Sequence, residues 1–221
     1  MSTYDQSYHG VAVKLPSPST LIREGLALDP ECGAWYEDAH RACAAYSAET
    51  GHDLNRVIGV LSITSPRVTV KRNVALTRAV LAAPVDAYVP GLLPSTRVAL
   101  AHWRRQGEDL HAIRGDKTRS FALAIAGDPS AVVLDVWALR GLGMGGVNVT
   151  SKRHRGASAT VRRLATRQGL APAGAQAALW YGTRARYGRT GGTSRIEFYG
   201  PGRKLPETSS GVSGMVQKST G

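Results

Sequence analysis

The chain has 221 residues, of which 43% are hydrophobic, and a formal net charge of +12 at pH 7. That length corresponds to one domain of ordinary size, and this hydrophobic fraction is enough to build a core, so an entirely disordered chain is excluded. No run of apolar residues is long enough for a membrane span, and we expect no membrane association. The first residues lack the apolar segment of a secretory signal, so we expect a cytoplasmic protein.

Proline and glycine divide the chain into helical segments. Residues 1–19 are polar and rich in turn residues, which predicts a flexible N-terminal arm. Beyond the arm, apolar and small residues recur at helical spacing, and an aspartate or a proline begins several of the segments. The pattern predicts helices over about 33–49, 53–61, 68–81, 94–107, 117–126, 135–140, 155–168 and 172–187.

No segment alternates between apolar and polar residues over a useful strand length, and no internal repeat is present. The pattern therefore predicts an all-α class, with residues 20–188 as one helical domain. Residues 189–221 are rich in glycine, serine and threonine and predict a basic tail.

The positive charge is concentrated in the C-terminal third of the chain. Residues 149–221 hold thirteen Lys/Arg and two Glu, a net charge of +11, whereas residues 1–148 have a net charge of +1. This asymmetry favours a polyanionic partner, with double-stranded DNA as the first candidate. A basic protein with only nonspecific affinity is the alternative.

The cysteines argue against a metal site. Cys32 and Cys43 are too few for a zinc or iron–sulfur site with four cysteine ligands, or for a disulfide framework. His40 lies three residues before Cys43, but no second pair of ligands accompanies them. We therefore expect no metal, no cofactor and a reducing compartment.

The stretch with the most chemical information lies in the middle of the chain. Lys117 follows Gly115 by two residues and is itself followed by Thr118. Asp135 comes eighteen residues after Lys117, with an apolar residue before it and Arg140 five residues after it.

These residues resemble the helix-hairpin-helix DNA glycosylase superfamily, in particular its endonuclease III-like branch. That family has a hairpin of the form L-P-G-V-G-x-K-T, and its catalytic lysine precedes the aspartate of V-D-T-H-x-x-R by the same spacing. The segment L-S-I-T-S-P-R at 61–67 resembles the family's L-S-x-Q-[TS]-x-D, which ends a helix and places a residue in the DNA stack. The resemblance covers about residues 33–187 and implies a helical bundle with a cleft between two helical halves.

The chain departs from the family's pattern at three points. Ala112 and Ile113 replace the proline and the first glycine of the hairpin, and Trp137 replaces the usual histidine. The loop with four cysteines that holds the iron–sulfur cluster is absent, as in other members. The sequence is therefore similar to a divergent, phage-type member without the cluster, in a bacterial or phage-infected cytoplasm.

The resemblance implies roles for three groups of residues. Lys117 would attack C1′ of the sugar to form a Schiff base, and the Asp135 carboxylate would stabilise positive charge on that sugar. A base flipped out of the duplex needs an aromatic pocket, for which the candidates are Trp103, Trp137, Trp180 and Tyr181. The DNA-binding candidates are Thr64, Arg67, Arg114, Gly115, Thr118, Arg119, Arg140, Lys152, Arg153 and Arg155.

Structural interpretations stay open for the same residues. Asp135 is also a good helix N-cap, and Lys117 is also an ordinary solvated cation in a first helical turn. Trp137 and Trp180 are also typical core anchors, and the basic cluster at 152–155 is also compatible with a solvated loop.

Three functions are compatible with the sequence. The first is removal of a damaged or modified base from double-stranded DNA by a monomeric N-glycosylase, with or without lyase activity. The second is a phage enzyme that hypermodifies a base, of the thymidine pyrophosphorylase type, which displaces a leaving group from an activated base and keeps the glycosidic bond. The third is a non-catalytic DNA-binding protein on the same fold.

Overall fold

The computed structural model describes residues 6–8, 11–85, 87–146, 150–189 and 195–198. This part of the chain is mostly helical, so the predicted all-α class is confirmed. Its α-helices are α1 (Pro18–Leu28), α2 (Trp35–Thr50), α3 (Leu54–Thr64), α4 (Val70–Ala82), α5 (Pro94–Arg105), α6 (Asp116–Ile125), α7 (Val136–Gly141), α8 (Ser151–Arg167) and α9 (Pro172–Arg186). Two short 3-10 turns, Pro30–Ala34 and Leu110–Ala112, precede α2 and α6.

Capping side chains explain where many of these helices begin. In five helices a side-chain oxygen before the first residue accepts a hydrogen bond from a backbone N–H of the first turn. The capping residues are Ser17, Asp53, Thr69, Asp135 and Thr150. Proline stands in the first turn of α1, α5 and α9, where its missing N–H costs no hydrogen bond.

The segment predicted as an N-terminal arm contains regular structure where the structure describes it. Strands β1 (Gln6–Tyr8) and β2 (Val11–Val13) pair antiparallel. Helix α1 begins at Pro18, because the Ser17 hydroxyl accepts a hydrogen bond from the Thr20 N–H at 3.2 Å. Neither this β-hairpin nor α1 was predicted from the sequence, because the residues of 1–19 are also typical of turns.

Three residues of the predicted basic tail, Arg195, Ile196 and Phe198, pack on the helical domain. Ile196 and Phe198 are 5% and 2% exposed and join the hydrophobic core. Arg195 Nη1 donates a hydrogen bond to Asp38 Oδ2 at 2.7 Å. This segment is therefore held by both apolar and ionic contacts. Most of the remaining tail lies outside the described residues.

Two hydrophobic clusters divide the helical domain into halves. The first cluster joins α2 to α6, and the second joins α1, α7, α8 and α9. The chain crosses between them in a non-helical segment, where Val133 packs into the first cluster while Val132 and Leu134 pack into the second. A cleft lies along the boundary between the two halves.

Helices α1 and α9 approach each other closely because glycine stands at their crossing. A Cβ atom on Gly25 would overlap the backbone of Ala178, and a Cβ atom on Gly182 would overlap the backbone of Leu21. Backbone atoms cannot change rotamer, so the short distance between these helices requires glycine at both positions.

Two Gly→Ala substitutions test this packing. We expect Gly182→Ala to lower the free energy of unfolding by about 1–3 kcal/mol, because the added methyl group overlaps the α1 backbone. Gly156→Ala is the matched control, because Gly156 is exposed on α8 and has open space around it. We expect this substitution to raise the free energy of unfolding by up to about 1 kcal/mol, because alanine favours the helix more than glycine does. Urea unfolding followed by circular dichroism measures both. Similar effects of the two substitutions would contradict the close α1–α9 contact.

Candidate functional site

A cavity of about 180 Å³ opens between the two halves. Helices α2 and α6 contribute aromatic side chains from one half, and α9 contributes polar and aromatic side chains from the other. The cavity is lined by Trp35, Tyr36, Ser65, Val70, Lys117, Phe121, Val133, Asp135, Gln176, Ala177, Trp180 and Tyr181. Most of its wall is therefore apolar, with one carboxylate, one ammonium and one amide among the lining groups.

Lys117 and Asp135 line this same cavity from opposite halves. Lys117 is the second residue of α6, and Asp135 immediately precedes α7. The helix and the non-helical crossing between them bring the two side chains to one site. The Lys117 side chain is exposed, whereas Asp135 is partly buried.

The Asp135 carboxylate is held by three hydrogen bonds. Its Oδ1 accepts the backbone N–H groups of Trp137 at 3.0 Å and Ala138 at 2.9 Å, so Asp135 caps α7. Its Oδ2 accepts the indole N–H of Trp180 at 2.8 Å. Asp135 therefore acts as the N-cap of α7 and also lines the cavity.

Burial raises the pKa of Asp135 above the ordinary value of 3.8. The hydrogen bond from Ala138, the charge of Lys117 and the bonds from Trp180 and Trp137 favour the ionised form but do not cancel the effect of burial. A carboxyl group with this balance is typical of a functional site, because it is desolvated yet supplied with donors that stabilise its charge.

Trp180 connects the carboxylate to α9. In addition to its bond to Asp135, its ring has the Arg184 guanidinium 4.4 Å above the centroid and the Tyr181 ring 5.3 Å away at an edge-on angle. These contacts fix the indole, so the indole N–H is held in position to orient the carboxylate.

The opposite wall is an aromatic cluster. The ring centroids of Trp35 and Tyr36 lie 5.0 Å apart in a T-shaped arrangement, and Phe121 lies 5.9 Å from Trp35 and 6.1 Å from Tyr36. The contacts of Tyr36 with Trp35 and Phe121 are edge-to-face and that of Trp35 with Phe121 is tilted, and together they make a rigid apolar surface.

A buried glutamine completes the cavity wall. The Tyr36 hydroxyl donates a hydrogen bond to Gln176 Oε1 at 2.6 Å, and burial raises the pKa of Tyr36 well above its ordinary value, so the phenol stays protonated. This bond leaves the Gln176 NH₂ group as the donor available to the cavity. Gln176 is only 3% exposed, which makes it a fixed rather than a mobile donor.

The segment before α6 departs from the resembled hairpin pattern for a structural reason. Ile113 is 1% exposed and packs in the first cluster, with an ordinary φ of −60°, so this position needs a core side chain and not glycine. Gly115 has a φ of +87° and directly precedes α6, so this position does need glycine.

The predicted base-pocket residues separate into two pairs. Trp180 and Tyr181 line the cavity. Trp103 does not: it is 1% exposed, lies in the core and donates its indole N–H to the Asp109 carbonyl at 2.9 Å. Trp137 is not among the lining residues either, and its ring packs against Tyr187 and Arg140.

The predicted DNA-binding residues differ in accessibility. Thr64 is 2% exposed and hydrogen-bonded within the α3–α4 contact, so it has no free surface for a phosphate. Arg119 pairs with Asp116 and the Ile113 carbonyl. Thr118 and Arg140 are partly buried. The exposed members of the set are Arg67, Arg114, Gly115, Lys152, Arg153 and Arg155.

The basic cluster at 152–155 lies in the first turn of α8 and not in a loop. Thr150 Oγ1 accepts the Arg153 N–H at 3.4 Å and begins the helix four residues earlier than predicted. Helix α8 carries six Lys/Arg and no Asp/Glu, so it presents a strongly basic surface.

The lining residues that were not assigned to the site from the sequence include three aromatic residues and one amide: Trp35, Tyr36, Phe121 and Gln176. The aromatic residues fit the apolar face of a helix, and that pattern does not distinguish a cavity wall from a packed core. Gln176 had a usable signal, because a polar residue on the alanine-rich core face of α9 is unusual.

The part of the chain that the structure describes shows no group of three or more potential metal ligands and no helix long and apolar enough to cross a membrane. Both cysteines are free and buried. Burial raises the pKa of Cys32 to about 11 and that of Cys43 to about 12, so neither thiol is a ready nucleophile at neutral pH.

The fold and the cavity define a small all-α protein with an aromatic cleft that holds one lysine and one hydrogen-bonded carboxylate. The chain belongs to the DUF7178 family, a family of unknown function, whose model matches residues 29–187. The matched region contains both Lys117 and Asp135. No curated protein and no solved structure matches the chain.

The Trp180–Asp135 hydrogen bond gives a prediction about proton affinity. Because the indole N–H stabilises the carboxylate, we expect Trp180→Phe to raise the pKa of Asp135 further above 3.8. Carbon-13 NMR of selectively labelled aspartate, recorded across pH, measures this pKa directly.

Trp137→Phe is the matched control for this titration. It removes an indole of equal size next to Asp135 but keeps the backbone N–H that Asp135 accepts, so the pKa of Asp135 is expected to stay unchanged. An unchanged pKa in Trp180→Phe would contradict the described bond.

Proposed function

We propose that this protein acts on a base in double-stranded DNA and breaks its N-glycosidic bond inside the cavity between the two halves. The observation that carries the proposal is that Lys117 and Asp135 line one aromatic cavity, with the carboxylate oriented by three hydrogen bonds. The eighteen-residue spacing and the resemblance to DNA glycosylases point to the same pair.

The cavity wall is suited to a flipped base. Aromatic rings bind the flat face of a base by stacking, and here Trp35, Phe121 and Trp180 supply such surfaces. A cavity of about 180 Å³ compares with the volume of about 150 Å³ that accommodates benzene, so one ring system with its substituents fits. The Gln176 NH₂ group would donate to an acceptor on the edge of that base.

The chemistry assigned to the pair is nucleophilic substitution at C1′. The Lys117 amine, in its neutral form, forms a bond to C1′ as the C1′–N bond breaks. The base leaves with the bonding electron pair and takes up a proton, and the amine loses its proton and becomes a Schiff base after the sugar ring opens. Asp135 stabilises the positive charge that develops on the sugar.

The surface beside the cavity is suited to a polyanion. Arg114 is exposed next to the N-terminus of α6, and Arg67 is exposed in the α3–α4 loop, which contributes Ser65 to the cavity. Helix α8 adds a basic surface, because it carries six Lys/Arg and no Asp/Glu. These cations would bind backbone phosphates and hold the duplex over the cavity opening.

We place this activity in a monomer in a bacterial or phage-infected cytoplasm. Two buried cysteines that do not form a disulfide support a reducing compartment.

Borohydride trapping tests the nucleophile. The protein is incubated with duplexes that carry damaged or modified bases, reduced with borohydride and examined for a covalent adduct. We expect an adduct in the wild-type protein, its loss in Lys117→Gln and a decrease in rate of at least about a hundredfold in Asp135→Asn, because the charge that stabilises the transition state is removed.

Lys71→Gln is the matched control, since Lys71 is also an exposed lysine at the second position of a helix but does not line the cavity. The Lys71→Gln variant should form the covalent adduct with DNA at the wild-type rate. Trapping that persists in Lys117→Gln would overturn the assignment of the nucleophile.

Nucleoside mass spectrometry after the same incubation separates the alternatives. Release of a free base supports the proposal. A base that is exchanged for a new substituent, with the glycosidic bond intact, would indicate the hypermodifying enzyme. Salt-dependent binding without any change to the DNA would indicate a non-catalytic DNA-binding protein.

A further inference from the structure

A second cavity lies on the opposite side of α6 from Lys117. It has a volume of about 410 Å³ and is enclosed by α6, α8 and the loop that contains Asp128 and Ser130. Its charged lining groups are Arg119, His154, Arg155 and Arg162, together with the carboxylates of Asp116 and Asp128.

The two carboxylates already have partners. Asp116 is bound by Arg119 and accepts the Ser151 hydroxyl at 3.1 Å, which ties the first turn of α6 to that of α8. Asp128 accepts the Ser130 N–H at 2.7 Å. Only Asp116 has a cationic partner, but the three arginines of the lining outnumber its two carboxylates, so the cavity keeps a net positive charge.

Two of the other lining groups, Arg155 and His154, have no described hydrogen-bond partner for their side-chain nitrogens. Arg162 donates two hydrogen bonds to the Ser130 carbonyl, at 3.0 and 2.8 Å. The Arg155 guanidinium makes no hydrogen bond or ion pair with the described residues. His154 Nε2 is buried and has no hydrogen-bond partner among them. A buried ring nitrogen without a partner is costly, so its presence in the wall of a cavity that is also lined by Arg155 points to a ligand.

We propose that the cavity between α6 and α8 binds a phosphate group, with Arg155 and His154 as its principal donors. Phosphate fits because its oxygens accept several hydrogen bonds at once, and arginine supplies paired N–H groups in a matching geometry. Arg119 on α6 and Arg162 on α8 also line the cavity and add positive charge without giving up their own bonds.

The state of His154 couples phosphate binding to pH. Burial lowers the pKa of His154, the nearby Asp116 raises it, and the charges of Arg119 and Arg162 lower it. The resulting pKa of His154 lies below the ordinary value of 6.5. The imidazole is thus neutral at pH 7 in the free protein. A bound phosphate favours the imidazolium, so it raises the pKa of His154, and by linkage the affinity for phosphate falls as the pH rises.

The two cavities share the first turn of α6. Lys117 and Phe121 line the first cavity, whereas Asp116 and Arg119 line the second. A DNA strand that crosses this turn would place a backbone phosphate against α8 while the neighbouring nucleotide enters the first cavity. This assignment of the phosphate to DNA rests on the proposed function, but the phosphate site itself does not.

Imidazole proton–nitrogen NMR tests the site. Inorganic phosphate is titrated at constant ionic strength, and we expect a saturable shift of the His154 signals and a higher pKa for His154. His111, an exposed histidine outside the cavity, should not respond.

Arg155→Gln should weaken phosphate binding by at least about tenfold, since it removes a charge-assisted donor. Arg163→Gln is the matched control on the same helix, because Arg163 is exposed and does not line the cavity. It should leave the affinity unchanged. The absence of a saturable His154 shift, or the same response in both variants, would overturn the site.

A second titration uses an unmodified DNA duplex in place of inorganic phosphate. If the duplex causes the same saturable shift of the His154 signals and the same rise in the pKa of His154, the bound phosphate belongs to the DNA backbone. A response to inorganic phosphate without one to the duplex would overturn that assignment and indicate a small phosphorylated ligand. Because neither titration requires catalysis, a failed borohydride trap does not affect the result.

Discussion

The hydrogen bonds of one carboxylate determine how the candidate site is built. Asp135 begins α7 by accepting the free N–H groups of Trp137 and Ala138, and the same side chain binds the indole of Trp180 on α9. It therefore fixes the junction between the two hydrophobic clusters and at the same time lines the cleft between them. Lys117 approaches this carboxylate from α6 in the other half. A displacement of Asp135 would alter both the local fold and the charge at the site.

This arrangement has a cost in stability that is typical of functional sites. The pKa of Asp135 is raised in the folded protein, so the folded state favours the protonated form relative to the unfolded chain. The cost is absent below pH 3.8, where the carboxyl group is protonated in both states, and it is complete once the pH exceeds the raised pKa. The fold keeps this carboxyl group in a desolvated position, with three accepted hydrogen bonds that favour its ionised form, which a purely structural N-cap at the surface does not require.

Much of the fold could be predicted from the sequence, because helix boundaries depend on local features. Helices α2 to α7 and α9 were predicted in the correct order and close to their observed ends. The signals were prolines and glycines at the helix boundaries and aspartates at the helix starts. Helix α1 was missed, although Ser17 and Pro18 form an ordinary start signal, and the start of α8 was placed late because Thr150 was not recognised as its cap. The packing of Ile196 and Phe198 depends on distant contacts that no local pattern contains.

The site could be predicted only in part. The spacing of Lys117 and Asp135 pointed to a pair that the fold does bring to one cavity. The role of each tryptophan could not be deduced, because Trp103 in the core and Trp180 in the cavity have the same helical periodicity. Tyr36 and Gln176 lie far apart in the chain, so their hydrogen bond depends on how α2 packs against α9.

A crystal structure of the protein with a duplex that contains a 2′-fluoro nucleotide tests the central claim most directly. The fluorine atom disfavours positive charge on the sugar and so preserves the glycosidic bond. The account predicts one nucleotide flipped into the cavity, with its C1′ between Lys117 Nζ and the Asp135 carboxylate. A duplex bound elsewhere, with the bases stacked and the cavity empty, would contradict it.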